Sequence, residues 1–325
     1  MPSKIQDPLP TFGTVRSSPL KAGTICRLCI LFLWTFEVLL AHSETFRVAT
    51  YNVENYLDIP TRTRHAKKPE ARAKVCENIL ALRPDVLALQ EVGSLSALEE
   101  LRGSLRTNGL DLPFAEFVTA FDTNVHLAIL SKFPFKAVRP HKNETFLLSG
   151  HRFGVSRGFA EADIQVSSNR VFTLINAHLK SKRPVAQADE AELRLEEAKM
   201  LREKIDSLFA TNANVNLVVL GDLNDTKDAE STRTVIGRGK TKLVDIRPAE
   251  RNGDTLSGRR KQELRNVTWT HFYAKEDLYS RVDYILISPA MAKIWRANET
   301  YILSVANWGV ASDHRPLLST FQIDD

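Results

Sequence analysis

The sequence predicts an α/β fold in which mixed β-sheets pack face to face under a cover of helices. Two observations lead there. Apolar runs of strand length recur along the chain, separated in places by segments of helical spacing and in places by polar turns such as Ser167-Ser168-Asn169. Four of these runs also abut residues that hold metals or phosphates: Ala88-Leu89-Gln90-Glu91, Asn176-Ala177-His178-Leu179, Val219-Leu220-Gly221-Asp222-Leu223-Asn224, and Ser312-Asp313-His314 ahead of 317–321. Four strand mouths of this kind imply one shared site. At 325 residues the chain is long for one domain, but it has no internal repeat or low-complexity linker, and sandwiches of this size fold as one unit.

The first 43 residues stand apart. A basic lead-in with Lys4, Arg16, Lys21 and Arg27 runs into the apolar stretch 28–41 and then Ala41-His42-Ser43, the layout of a secretory signal peptide. The apolar stretch falls short of the roughly 20 residues of a spanning helix and Glu37 interrupts it, so a membrane anchor is the weaker reading. The expected division is a signal peptide over 1–43 and one domain over 44–325, with the mature protein secreted or periplasmic, free of the membrane and monomeric. Cleavage after Ser43 removes four basic and two acidic residues, leaving 40 against 37 and a formal charge of about +3, too small to name a partner. Cys26 and Cys29 lie in the signal, so Cys76 remains alone and no internal disulfide is available. Its apolar-periodic setting, with Val75, Ile79, Leu80 and Leu82, makes Cys76 a buried core residue.

Residues 46–51 mix β-branched, aromatic and small side chains and read as a strand that delivers Asn52 at its end. Residues 70–82 have helical spacing and stop at Arg83-Pro84; the apolar run 85–89 that follows is a strand covered on both faces. A second helix is expected over 94–105. Strands then crowd together at 114–118, 127–131, 158–166 and 171–177, the last two as an antiparallel pair. Residues 188–209 form an amphipathic helix with Leu193, Leu201, Ile205 and Leu208 inward. A short helix over 227–235, capped by Asp225 or Thr226, and strands at 217–220, 282–287 and 317–321 complete the reading.

Asp222 and Asn224 stand two apart just after a buried strand, so an extended chain points both side chains to one side. A carboxylate and a carboxamide so placed can hold a water and donate to a phosphoryl oxygen. Glu91 ends a run so apolar that its carboxylate needs a cation, either Mg²⁺ or an arginine. Without a Cys/His cluster, oxygen-bound magnesium is favoured over structural zinc, although Glu91 alone reads equally well as a salt bridge. His178 and His314 supply two imidazoles, one to orient or deprotonate water and one to bind phosphate or protonate a leaving oxygen; Asp283 can hold the tautomer of either. A lone histidine is usually structural, but two at strand mouths beside carboxylates point to catalysis. His126, His141, His151 and His271 lack that context and read as structural or surface residues. Arg157-Gly158 can clamp a phosphate. Lys180, Lys182 and Arg183 form a basic stretch that either tracks a polynucleotide backbone or simply faces solvent. Arg259-Arg260-Lys261 reads as an exposed loop.

Taken in order, these residues resemble the endonuclease/exonuclease/phosphatase superfamily, the group with the deoxyribonuclease I-like fold. The motifs, spread over 45–323, are Ala49-Thr50-Tyr51-Asn52-Val53-Glu54, Leu89-Gln90-Glu91, Asn176-Ala177-His178-Leu179, Gly221-Asp222-Leu223-Asn224, Arg281-Val282-Asp283-Tyr284 and Ser312-Asp313-His314-Arg315-Pro316. The resemblance implies a four-layer α/β sandwich, two packed mixed β-sheets flanked by helices, with one site at the mouth of the sheets. It implies Mg²⁺ or Mn²⁺ held chiefly by Glu91, with Asn52 and Asp313 completing or supporting the metal site. By the same resemblance His314, oriented by Asp283, is the general base or a phosphate ligand, and Asp222 the competing activator of water. His178 takes the phosphate-binding or general-acid role, Asn224 and Asn176 contact the phosphate, and Arg157 grips the substrate backbone.

The expected activity is metal-dependent hydrolysis of a phosphodiester, with DNA or RNA as the leading substrate. A sphingomyelinase-like enzyme or small-phosphoester phosphatase is the enzymatic alternative, which an apolar loop beside the site would favour; Phe133-Pro134-Phe135 and 145–148 are the candidates. A noncatalytic phosphate-binding module is the alternative of another class. The disulfides of secreted deoxyribonucleases have no counterpart here, and the sequon Asn224-Asp225-Thr226 falls on a site residue, which fits bacterial export better than a eukaryotic secretory route.

Overall fold

A computed structural model describes residues 44–250 and 267–323. The expected signal segment 1–43 and Arg259-Arg260-Lys261 lie outside the described residues. Two sheets form the centre. The first runs Ala249–Glu250, Trp295–Ile302, Leu317–Gln322, Thr45–Tyr56, Val86–Val92, His126–Ser131, Phe114–Val118; the second runs Val244–Asp245, Asp283–Ile287, Leu217–Asp222, Val171–His178, Phe159–Gln165, Phe135–His141. Each is mixed. Thr45–Tyr56 is parallel to Val86–Val92 and antiparallel to Leu317–Gln322, and Leu217–Asp222 is parallel to Val171–His178 and antiparallel to Asp283–Ile287.

The two-residue period of a strand decides which layer each side chain joins. Val48, Ala88 and Ile129 of the first sheet meet Ala162, Leu174, Val218 and Ile285 of the second in one apolar layer between the sheets. Their sequence neighbours Ala49, Leu89 and Leu130 point the other way and pack under helices Pro69–Leu82 and Leu95–Thr107 through Val75, Ile79, Leu98 and Leu101. On the far face Ile175, Val219 and Leu286 pack under helix Glu190–Thr211 through Leu193, Leu201 and Ile205. The result is the four-layer sandwich, and burial of both faces is why its central strands read as unbroken apolar runs. Cys76 is a buried free thiol in the layer under the helices.

Helix ends follow their local chemistry. Pro69 opens the first helix, and Arg83 closes it in the left-handed region at φ 47°, its N–H donating to Ile79 O, before Pro84 forbids another turn. Ser94 and Asp189 cap the next two with side-chain oxygens. The short helix is Glu230–Ile236, so it starts later than expected and neither Asp225 nor Thr226 caps it. Asp225 Oδ2 instead accepts from Arg194 Nε at 3.0 Å and Ser231 Oγ at 2.9 Å. Strands Phe135–His141 and Trp295–Ile302 escaped the sequence reading because they are half-exposed and, in the first case, contain Pro140 on a sheet edge. The two hairpins Thr145–Leu148/His151–Gly154 and His271–Tyr273/Leu278–Ser280 are too short to show a period.

One departure matters for the site. The strand expected to end at Asn52 runs on to Tyr56, with a register shift against Val86–Val92 between Asn52 and Tyr56. Glu54 and Asn55 sit there at φ 41° and 50°, and across from them Glu91 sits at φ 64° inside its own strand, where the register with His126–Ser131 also slips. Non-glycine residues in the left-handed region are strained and concentrate where a side chain must be re-aimed. Both bulges turn their carboxylates toward one cleft.

Candidate active site

The cleft measures about 980 Å³ and is lined by Glu54, Glu91, Arg157, His178, Asp222, Asn224, His271, Asp313 and His314. Register explains the convergence. His178 and Asp222 are partners in a parallel pair and Asp222 and Asp283 partners in an antiparallel one, so three functional groups stand abreast at one sheet end. Gly221 makes the pairing possible: its φ is 124°, and a Cβ there would lie 2.0 Å from Ala177 O.

Asp222 is the hub. Its Oδ2 accepts from Asn52 Nδ2 at 3.0 Å and Asn224 Nδ2 at 3.3 Å, and lies 3.5 Å from His178 Nε2 and 3.7 Å from His314 Nε2. Its Oδ1 accepts from Asn224 N at 2.8 Å. Burial pushes its carboxyl up to about 7, with Asp283 adding to the rise and His314, Asn224 and Asn52 opposing it. His314 Nδ1 lies 2.8 Å from Asp283 Oδ2. Burial alone would lower this imidazole, but Asp283, Asp222 and Asp313 together raise it well above its ordinary value, so it is cationic at neutral pH. His178 goes the opposite way: burial first, then Arg157, His314 and Arg64, hold it well below the ordinary value and therefore neutral. Its Nδ1 is buried with no partner. Two histidines thus carry different charge on either side of one carboxylate.

Carboxylates crowd the other side. Glu91 Oε2 accepts from Asn55 N at 2.9 Å and lies 3.6 Å from Arg64 Nη1, while Oε1 is 4.0 Å from His178 Nε2. Glu54 Oε2 accepts from Asp313 N at 3.2 Å, and Asp313 Oδ1 is 3.8 Å from His314 Nε2. Burial raises the Glu54 carboxyl, and Asp313 and Glu91 raise it further against the pull of Lys67. Glu54, Glu91 and Asp313 bring carboxylate oxygens to one cleft, a donor set that suits a hard, oxygen-seeking cation, so the residues present fit Mg²⁺ or Mn²⁺. Among the described residues the clusters whose ligand atoms all lie within 4.8 Å of one another are His271, Asp313 and His314, and Asp222, Asp283 and His314.

Several residues lie elsewhere than the sequence reading placed them. Asn52 was read as a metal-site residue, but it is buried behind Asp222, its Nδ2 on Asp222 and its Oδ1 accepting from Glu54 N at 3.0 Å. Asn176 does not line the cleft: fully buried, it donates to Leu89 O at 2.9 Å and Ala128 O at 3.0 Å and accepts from Gln90 Nε2 at 2.7 Å, tying one sheet to the other. Lys180 is turned into its own loop, donating to Ser181 O at 2.9 Å and Arg183 O at 2.7 Å, which leaves Lys182 and Arg183 as the exposed charges of that stretch. Arg157 is on the cleft wall, 3.3 Å from Asp122 Oδ2. His271, read as structural or surface, is in the cleft, its Nε2 3.5 Å from Asp313 Oδ2 and its ring centroid 4.5 Å from that of His314 at a tilt of 39°. Glu54 closes the first motif and was open to notice; His271 lies in a hairpin with no sequence signal. The apolar segments named for a lipid loop are off the cleft: Phe133 and Phe135 pack on the inter-sheet core and Phe146 on the helix Glu190–Thr211 side.

Comparison with known proteins agrees with this fold. Residues 49–314 match the Endonuclease/Exonuclease/phosphatase family. No curated protein sequence matches the chain. Similar solved structures include the human Nocturnin catalytic domain with bound sulfate, 18% identical with a TM-score of 0.58 over 85% of this chain and 94% of that one. Beta toxin from Staphylococcus aureus is 15% identical with a TM-score of 0.57, over 84% and 99%. A 3′ phosphatase NExo from Neisseria bound to product DNA hairpin is 17% identical with a TM-score of 0.53, over 85% and 99%.

Proposed function

The chain belongs to the endonuclease/exonuclease/phosphatase family, and from that premise we propose that it is a secreted, Mg²⁺-dependent phosphodiesterase that cleaves DNA or RNA. The carrying observation is Asp222, a buried carboxylate between the neutral His178 and the cationic His314, facing a cleft whose far side holds Glu54, Glu91 and Asp313. With its carboxyl raised to about 7, Asp222 accepts a proton from an attacking water, which makes it the general base in place of His314. Asn224, fixed by two contacts to Asp222, holds the same water. As the oxygen attacks phosphorus and the opposite P–O bond breaks, the departing oxygen keeps that bond's electron pair and takes a proton from solvent water, while His314 offsets charge on a non-bridging oxygen and His178 donates a hydrogen bond to another. Mg²⁺, when bound, supplies Lewis-acid stabilisation of the phosphate at the acidic side of the cleft.

Arg157, Lys182 and Arg183 on the cleft wall support a polyanionic substrate, and the product DNA held by the Neisseria enzyme shows that one structural relative binds nucleic acid. Among the described residues no helix is long and apolar enough to cross a membrane; the export reading rests on the basic lead-in and apolar stretch of the segment 1–43. The test is Mg²⁺-dependent hydrolysis of plasmid DNA, single-stranded DNA, RNA, sphingomyelin and bis(4-nitrophenyl) phosphate by wild type and His314→Ala. Nucleic-acid cleavage lost in the variant is expected. Turnover of the lipid or small diester alone would replace the substrate. Amino-terminal sequencing of exported protein is expected to begin at Glu44.

A further inference from the structure

Helix Glu190–Thr211 buries a carboxylate that the chemistry above leaves unused. Glu197 is 1% exposed on a face shared with Leu193, Leu201 and Ile205. A charge so placed persists only where protein donors replace its water. Ser156 N at 2.8 Å and Ser156 Oγ at 2.7 Å donate to its Oε1, and Lys180 N at 2.6 Å donates to its Oε2. The two donor residues come from separate segments: Ser156 leads into Arg157, and Lys180 follows the strand that ends in His178. Nearby on the helix, Arg194 donates from Nη1 to Lys180 O at 3.0 Å and from Nε to Asp225 Oδ2 at 3.0 Å, so the same helix also braces the turn after Asn224.

The Ser156-Arg157 turn is held from every side. Ser156 O accepts from Asp122 N at 2.6 Å, and Asp122 Oδ2 is 3.3 Å from Arg157 Nε. Arg157 Nη1 donates to Leu179 O at 3.3 Å. Gly158 then turns at φ 62°, where a Cβ would lie 2.4 Å from His141 O. Glu197 ties this turn to a long helix, and long helices hold position better than loops do. We infer that Glu197 is the positioning residue for Arg157, fixing the cleft wall from which that arginine meets the phosphodiester without itself touching substrate. The inference rests on the reading of Arg157 as a substrate contact. His178 and Asp222 are also held to each other by the strand ladder, which Glu197 does not enter. Binding and chemistry therefore separate.

The test is a double-mutant cycle between Glu197→Gln and Arg157→Ala. Glutamine keeps the size and one acceptor oxygen but sets an N–H against one of the two donor segments. Expected for Glu197→Gln is a KM for a short oligonucleotide raised about tenfold with kcat within about threefold of wild type, and an equal weakening of oligonucleotide binding followed by fluorescence anisotropy in EDTA. Arg157→Ala gives a comparable rise, and the double variant adds nothing to it. Ser156→Ala, which removes only the hydroxyl donor, shifts KM the same way by less and carries the test should the glutamine variant fail to fold. Additive effects in the double variant, or a loss of kcat at unchanged KM, would overturn the inference. If only bis(4-nitrophenyl) phosphate is hydrolysed, the nuclease reading fails, and the same cycle run on that diester still decides the role of Glu197.

Discussion

His314 lies between two buried carboxylates, its Nδ1 2.8 Å from Asp283 Oδ2 and its Nε2 3.7 Å from Asp222 Oδ2. Asp283 Oδ1 has no hydrogen-bond partner, so the side-chain hydrogen bonding of that carboxylate falls to the imidazole. Asp283→Asn keeps the shape and removes the charge that sustains imidazolium. We expect kcat to fall at least about 100-fold with KM little changed, measured by steady-state kinetics. An unchanged kcat would remove His314 charge from the reaction.

Asp222 has its carboxyl raised to about 7, so activity is expected to rise with pH through that value as the base loses its proton. The stability sign is the reverse. A carboxyl raised from 3.8 contributes stability below the unfolded value that is lost as pH climbs toward 7. Asp222→Asn mimics the protonated form, and we expect it to abolish turnover while gaining about 1–3 kcal/mol over wild type at pH 8 and little at pH 4. Urea unfolding at the two pH values checks this; a destabilised variant at pH 8 would contradict it.

Glu91, at φ 64° in a strained bulge, lines the cleft together with Glu54 and Asp313. Glu91→Gln removes one ligand charge from that trio. The expected result is Mg²⁺ or Mn²⁺ affinity weaker by about 10-fold or more by calorimetry, with EDTA abolishing wild-type activity. Equal metal affinity in the variant would make Glu91 only the partner of Arg64.

Asn176 has its amide wholly engaged between the sheets. Its acceptors, Leu89 O and Ala128 O, are carbonyls at the place where the strands Val86–Val92 and His126–Ser131 slip register. Asn176→Ala leaves them and Gln90 short of a partner in the core. We expect a loss of about 2–4 kcal/mol in urea unfolding with substrate KM unchanged in the folded fraction; a KM effect without a stability loss would return Asn176 to the substrate side.

The layers of this protein were legible because burial leaves a local mark: strands covered on both faces are apolar along their buried length, as 217–220 and 86–89 are. Why position 221 is a glycine was decided by the structure, where a Cβ would lie 2.0 Å from Ala177 O. The residues that gather at the cleft were marked by polar groups at the ends of such runs. Their roles in space were not. Asn52 meets Asp222 across 170 residues of sequence, and Ser312 Oγ reaches Asn52 O across 260. The placing of Glu54 and Glu91, the entry of His271 and the buried brace at Glu197 all depend on such distant partners. Sequence period encodes which face of an element is buried; sheet register and side-chain hydrogen bonds between remote segments encode which groups meet, and those arise only once the layers close on one another.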